Sequence, residues 1–123
     1  MTNIRLFRIM DLIKKKLERL ITMEKKKKII TICGSLKFKK EMMKEAIRLE
    51  LENNIVLTPL FSLTEEVLTK KEGIILGNMH KEKIKISDEI FVINVNGYIG
   101  ESTKSEIALA ESLHKEVKYL EEK

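Results

Sequence analysis

Tryptophan is absent from this sequence, proline and cysteine occur once each, and the aromatic rings are limited to 4 Phe and 2 Tyr. With so few rings, the stacking platforms that hold single-stranded nucleic acid are not available in number. The single thiol, Cys33, has no internal partner, which excludes a disulfide scaffold and makes a reducing cytoplasm the expected compartment. The longest uncharged stretches, Asn53–Thr64 and Ile90–Gly100, fall far short of the roughly 20 apolar residues of a membrane span. Charged residues interrupt the N-terminal segment throughout, so no cleavable signal is read there. Five glycines and one proline leave no room for a Gly/Pro-rich linker, and no internal repeat is visible.

What is present is a chain of 123 residues, 43% apolar and 35% charged, the balance of a globular domain carried by aliphatic side chains. A domain of this size buries roughly two-thirds of its unfolded surface, enough for a core without metal staples. The net charge of +5 is unevenly placed. Residues 1–30 carry 10 Lys and Arg against 3 Asp and Glu, whereas residues 31–123 carry 14 against 16. The basic character therefore belongs to a leading segment that includes Lys25–Lys28. Such a patch attracts nucleic acid or anionic lipid. However, 20 of the 24 cationic residues are Lys, which points to a solvated surface; nucleic-acid sites favour Arg forks. Neither nucleic acid nor a membrane is the expected partner.

Apolar residues at Ile4, Phe7, Met10, Ile13, Leu17, Leu20 and Ile21 follow helical spacing, so residues 4–22 read as an amphipathic helix. Met23, followed by lysines and a strand, also reads as an ordinary start, which makes residues 1–27 an appendage and 28–123 the domain. From Lys28 the pattern alternates. Ile29–Cys33 is a β-branched strand ending at Gly34-Ser35, and Phe38–Asn53 is a helix stopped at Asn53-Asn54. Ile55–Thr58 is a second strand closed by Pro59. Leu60–Gly73 carries no decisive signal, and Thr64-Glu65-Glu66 fits either a short helix or a loop. Asn78–Ser87 reads as a helix, Glu89–Val95 as the strongest strand, Gly97–Gly100 as a turn, Thr103–His114 as a helix and Val117–Leu120 as a last strand. Strands alternating with helices predict an α/β flavodoxin-like three-layer sandwich with a short parallel sheet of order 2-1-3-4.

In such a sheet, ligands bind beyond the carboxyl ends of the first and third strands, where the strand order reverses. Cys33-Gly34-Ser35 and Gly97–Thr103 meet there, and the latter offers a helix N-terminus to an anion without P-loop or dinucleotide spacing. Glu106 has two readings: the N3 member of a Thr103-x-x-Glu106 capping box, or a carboxylate facing the crevice in the first helical turn. His80 and Lys83 share a helix face, and His80 is either a packing residue or a proton carrier with a pKa near neutrality. His114 fits favourable helix-end electrostatics, and Cys33 reads as packing. No His/Cys/carboxylate spacing along the chain resembles a metal site.

Ile32-Cys33-Gly34-Ser35, Asp88–Asn94 and Gly97–Ala110 resemble the nucleoside 2-deoxyribosyltransferase-like superfamily, over about residues 28–120. The resemblance implies a flavodoxin-like fold acting on N-glycosidic bonds of nucleosides or nucleotides, without metal or organic cofactor. It implies a nucleophilic glutamate at Glu106, followed by a small-residue pattern like Ile107–Ala110. Cys33, Gly34, Ser35, Phe38 and Asp88 fall at implied substrate-binding positions. So do Gly97, Tyr98, Gly100, Glu101, Ser102 and Thr103. Departures mark a divergent branch. The aspartate eight residues before the one that opens the third strand is His80, which would relay a proton to the leaving base. A second carboxylate position is Gly100, with Glu101 beside it, and Ser35 stands where an aromatic often follows the first strand. Family members also imply a homo-oligomer, to which residues 4–22 would contribute. A catalytically silent nucleotide-sensing module, or an interaction protein acting through its basic helix, are the expectations from other classes.

Overall fold

The computed structural model describes residues 2–25, 27–61 and 68–122. Helix α1 (Thr2–Lys25) precedes β1 (Ile29–Gly34), α2 (Lys39–Leu51), β2 (Ile55–Leu57), α3 (Lys70–Ile86), β3 (Glu89–Ile93), α4 (Glu101–Ser112) and β4 (Glu116–Tyr119). The four strands are all parallel, in the order β2-β1-β3-β4. The flavodoxin-like expectation is therefore met.

Period-two alternation in β1 and β3 sorts their side chains onto two faces. Ile30, Ile32, Phe91 and Ile93 pack with Met42, Ala46 and Leu49 of α2 on one face. Cys33, Ile90 and Val92 pack with Ile84 of α3 and Ile107 and Ala110 of α4 on the other. The helices after β1 and β3 thus leave on opposite sides, which opens a crevice beyond Gly34 and Ile93. Gly34 pairs with Ile93 in the sheet, and a Cβ there would stand 3.1 Å from Ile93 Cβ and 3.2 Å from its carbonyl oxygen. A larger residue here would push Ile93 away by a few tenths of an ångström.

Element boundaries differ from expectation where local bonds decide them. Helix α2 begins at Lys39, after a 3₁₀ turn over Leu36–Phe38, and Asn53 beyond its end takes φ 73°, with Asn54 Nδ2 donating to the Leu49 carbonyl at 2.8 Å. Helix α3 starts eight residues before the expected Asn78. Thr69 Oγ1 accepts from Glu72 N–H at 3.1 Å, and the Glu72 carboxylate accepts from Thr69 N–H at 2.9 Å. This reciprocal cap offsets the poor helix propensity of Gly73 and Gly77. Strand β3 stops at Ile93 because the Asn94 side chain turns to the chain after β4. It accepts from Glu121 N–H at 2.8 Å and donates to the Glu121 carbonyl at 3.0 Å. Thr64-Glu65-Glu66 lies outside the described residues. His114 follows α4 in a left-handed conformation, φ 57°, as an exposed helix-ending residue.

Helix α1 is amphipathic as expected, yet its apolar side chains face solvent: Phe7 is 73% exposed and Ile4 63%. No helix among the described residues is long and apolar enough to cross a membrane.

Candidate active site

Beyond the carboxyl ends of β1, β2 and β3 lies a cavity of about 330 Å³. That is at the lower end of the about 300–1,000 Å³ range of small-molecule pockets. Gly34 and Ser35 follow β1, Gly100–Thr103 and Glu106 come from the start of α4, and Gly73, Gly77 and His80 come from one face of α3. Leu36, Pro59, Leu60, Leu68 and Leu76 supply an apolar wall. The pocket is lined largely by apolar surface, with its polar groups gathered at the α4 end.

Glu106 sits at the base of this cavity. Helix α4 is capped at Gly100 without a side-chain bond, so the helix starts at Glu101 and Glu106 lies in its second turn. The expected Thr103-x-x-Glu106 capping box is not formed, because the helix begins before Thr103. The carboxylate is thereby released from capping and is 7% exposed. Ser102 Oγ donates to Glu106 Oε2 at 3.4 Å, and the Cys33 thiol lies close to the same carboxylate. Burial raises the Glu106 pKa above the usual carboxylate value, and the neighbouring Cys33 and Ser102 groups and the charge of Lys81 offset part of that rise.

His80 is 5% exposed, with Nε2 at 3.6 Å from Cys33 Sγ and 3.7 Å from Glu106 Oε1. Nδ1 has no hydrogen-bond partner among the described residues. Desolvation, reinforced by the Lys83 ammonium, lowers the imidazole pKa to about 4. The expected proton carrier titrating near neutrality is therefore corrected: at pH 7 His80 is a neutral ring. Lys83 does not face the cavity chemistry directly; its Nζ donates to the Thr58 carbonyl at 2.7 Å. Cys33 is fully buried, and its thiol pKa is pushed up by burial and by the neighbouring Glu106 carboxylate. As a free thiol it is therefore a poor nucleophile.

Of the expected site residues, Gly34, Ser35, His80, Gly100, Glu101, Ser102, Thr103 and Glu106 line the cavity, and Cys33 lies behind His80 and Glu106. Asp88 does not join them. It precedes β3, at the opposite end of the sheet, where its carboxylate accepts from Ile29 N–H at 2.8 Å. That is a structural tie between strands. Phe38, Gly97 and Tyr98 do not line the cavity. Tyr98 lies beside Gly100, its hydroxyl 3.6 Å from where a Cβ on that glycine would stand, and its ring meets Phe38 edge-on at 5.9 Å. Gly97 supplies the positive φ, 78°, of the turn before α4.

The apolar wall and the two α3 glycines were not anticipated, although the capping box before them was a readable signal. No metal-like spacing runs along the chain, but three candidate ligands converge in space. Ligand atoms of Cys33, His80 and Glu106, all buried, lie within 4.8 Å of one another. They come from β1, α3 and α4, so no local motif announces them.

A Cβ on Gly73 or Gly77 would meet nothing within 4 Å among the described residues, so close packing does not require either glycine. Gly77→Ala is expected to stabilise the fold by about 0.5–1 kcal/mol through helix propensity and a stiffer unfolded chain. The same methyl, on the pocket face of α3, narrows the cavity. Urea midpoints check the stability, and a variant that is less stable would contradict the open geometry at Gly77.

Set against known proteins, the chain matches no protein-family model and no curated protein.

Proposed function

We propose that the protein cleaves or transfers at the N-glycosidic bond of a (deoxy)nucleoside or its 5′-monophosphate, with Glu106 as nucleophile. The observation that supports this most is a buried carboxylate, oriented by Ser102, at the base of a cavity at the sheet's switch point. In the proposed reaction a Glu106 oxygen bonds to the anomeric carbon as the bond from that carbon to the base nitrogen breaks. The bonding pair leaves with the base, which takes a proton from solvent. The transition state is oxocarbenium-like, and the resulting glycosyl ester is resolved by water or by a second base, as in retaining glycosidases.

The hydroxyls of Ser35, Ser102 and Thr103 and the leading N–H groups of α4 would hold the sugar or a 5′-phosphate. Leu60, Leu68 and Leu76 would cover the faces of the base. Neutral His80 acts as a positioning residue behind Glu106 and not as a stored proton. No metal or organic cofactor is needed for these steps.

The test is incubation with a panel of nucleosides and nucleoside 5′-monophosphates, with released base measured by chromatography. Base release from at least one member is expected. Binding without release across the panel would replace this reading with a silent nucleotide-sensing module.

The same reading includes a homo-oligomer. The apolar stripe of α1 is exposed along its length, and an isolated helix of 24 residues gains little stability in water without tertiary packing. A second copy is proposed to cover it. Light scattering should give an oligomer for the full chain and a smaller species for a chain beginning at Met23. A full-length monomer at micromolar concentration would overturn the proposal.

A further inference from the structure

Cys33, His80 and Glu106 form a cluster whose geometry is informative beyond the proposed nucleophile. A tetrahedral zinc ion holds nitrogen and oxygen at about 2.0–2.1 Å and sulfur at about 2.3 Å, which sets neighbouring donor atoms about 3.3–3.6 Å apart. Here Cys33 Sγ and His80 Nε2 are 3.6 Å apart, and His80 Nε2 and Glu106 Oε1 are 3.7 Å apart. The nitrogen–oxygen separation is too long for a strong hydrogen bond, while 3.6 Å is within the range of a sulfur–nitrogen bond. The ligand atoms of all three residues lie within 4.8 Å of one another, near enough to converge on one cation. The donors stand on three different elements of a rigid sheet and its helices, so their spacing is set by the core.

We infer that Cys33, His80 and Glu106 form a binding site for a thiophilic divalent cation of the Zn²⁺ type, with the fourth position open to the cavity. The charge count favours it. A thiolate, a carboxylate and a neutral imidazole around a divalent ion sum to zero, the condition a buried cluster needs. Cys33 is fully buried and Glu106 nearly so, and a divalent ion would balance the charge of the two side chains where solvent cannot. Binding exchanges the thiol proton, and any on Glu106, for the metal, and those protons leave to solvent. The imidazole is already neutral and coordinates through Nε2, with its remaining proton on Nδ1. Ser102, donating to Glu106 Oε2, orients the carboxylate from outside the cluster. Sulfur disfavours Mg²⁺ and Ca²⁺, which prefer all-oxygen sites. A water drawn from the cavity completes the coordination.

A consequence follows that rests on the nucleophile reading. The metal occupies the carboxylate that would attack the anomeric carbon, so cation and glycosyl transfer exclude each other at this site.

The test uses the full chain stripped of metal and titrated with Co²⁺ as a spectroscopic stand-in for Zn²⁺. One equivalent should bind with a thiolate-to-cobalt charge-transfer band and the intense visible bands of tetrahedral cobalt, and Zn²⁺ should displace it. Cys33→Ser should abolish the charge-transfer band, and both it and Glu106→Gln should weaken binding by more than about 100-fold, since even outer-shell changes cost about 10–100-fold. No charge-transfer band in the parent protein at excess Co²⁺, or undiminished affinity in Cys33→Ser, overturns the site. Because the parent spectrum is read directly, the result does not depend on a variant folding. Base release by the same metal-free preparation separates the two proposals. Release without a cobalt signature removes only the metal site, and a signature without release removes only the glycosidic reading.

Discussion

Glu106→Gln is expected to lower the rate of base release by at least about 10³-fold while nucleoside binding changes little, as for removal of a nucleophile that acts only in the chemical step. The structure makes this a clean substitution. Helix α4 is capped at Gly100, so the side chain at 106 carries no capping duty. Glutamine can still accept from Ser102, whose hydroxyl lies 3.4 Å from Oε2. Stability should not fall at pH 7. The folded-state pKa of Glu106 is raised by burial, so its contribution is fully present below the ordinary carboxylate range and is lost as pH rises through the folded value. At any pH where Glu106 is ionised, the parent carries a buried charge that the variant lacks, and the variant should match or exceed it in urea midpoint there. Turnover by the variant at the parent rate would remove Glu106 as nucleophile. In the proposed reaction the attacking form is the carboxylate, so parent activity should also fall as pH drops through that raised pKa.

The second large effect belongs to His80. Its folded-state pKa is lowered from 6.5 to about 4, chiefly because the ring is desolvated, with the Lys83 charge acting in the same direction. A lowered value contributes stability above the unfolded pKa, and this is lost as pH falls through the folded one. The window is therefore about pH 6.5 down to about 4. The full difference corresponds to about 3 kcal/mol at 1.36 kcal/mol per pH unit. The measurement is the urea stability of the parent minus that of His80→Asn, taken at several values across the window. That difference should shrink steadily on acidification, because only the parent must charge a buried ring on unfolding. A difference that stays constant from pH 7 to 4 would show that His80 is not held neutral. The pH profile of base release, in contrast, should keep its shape in His80→Asn, since Glu106 sets it.

The two histidines show how far residue type alone carries. His114 was read as a helix-end residue and stands there, because a helix end is a local event over a few positions. His80 was read as titrating near neutrality, the property of a free imidazole. What changes it is the wall of β1 and α4 around it, contributed by residues distant in sequence. Asp88 was placed at the site by the resemblance, as the residue that opens the third strand, but its strand's direction puts it at the far end of the sheet. There it fastens Ile29, away from the cavity.

The β-branched runs at Ile29–Cys33 and Glu89–Val95, alternating with helical periods, were enough to read an all-parallel sheet of order β2-β1-β3-β4 and a crevice beyond Gly34. Those features follow from period-two burial and crossover handedness, both of which are local rules applied element by element. The helix starts were less legible. Gly73 and Gly77 masked the first half of α3, and Ser102 and Thr103 drew the expected cap of α4 beyond its real position at Gly100. Only the tertiary structure decided the chemistry of the cavity. Cys33 and His80 are 47 positions apart, and Glu106 arrives from a third element. Their convergence sets donor separations, burial and proton affinity together. Each of those quantities depends on what surrounds a side chain in space, which no spacing along the chain specifies.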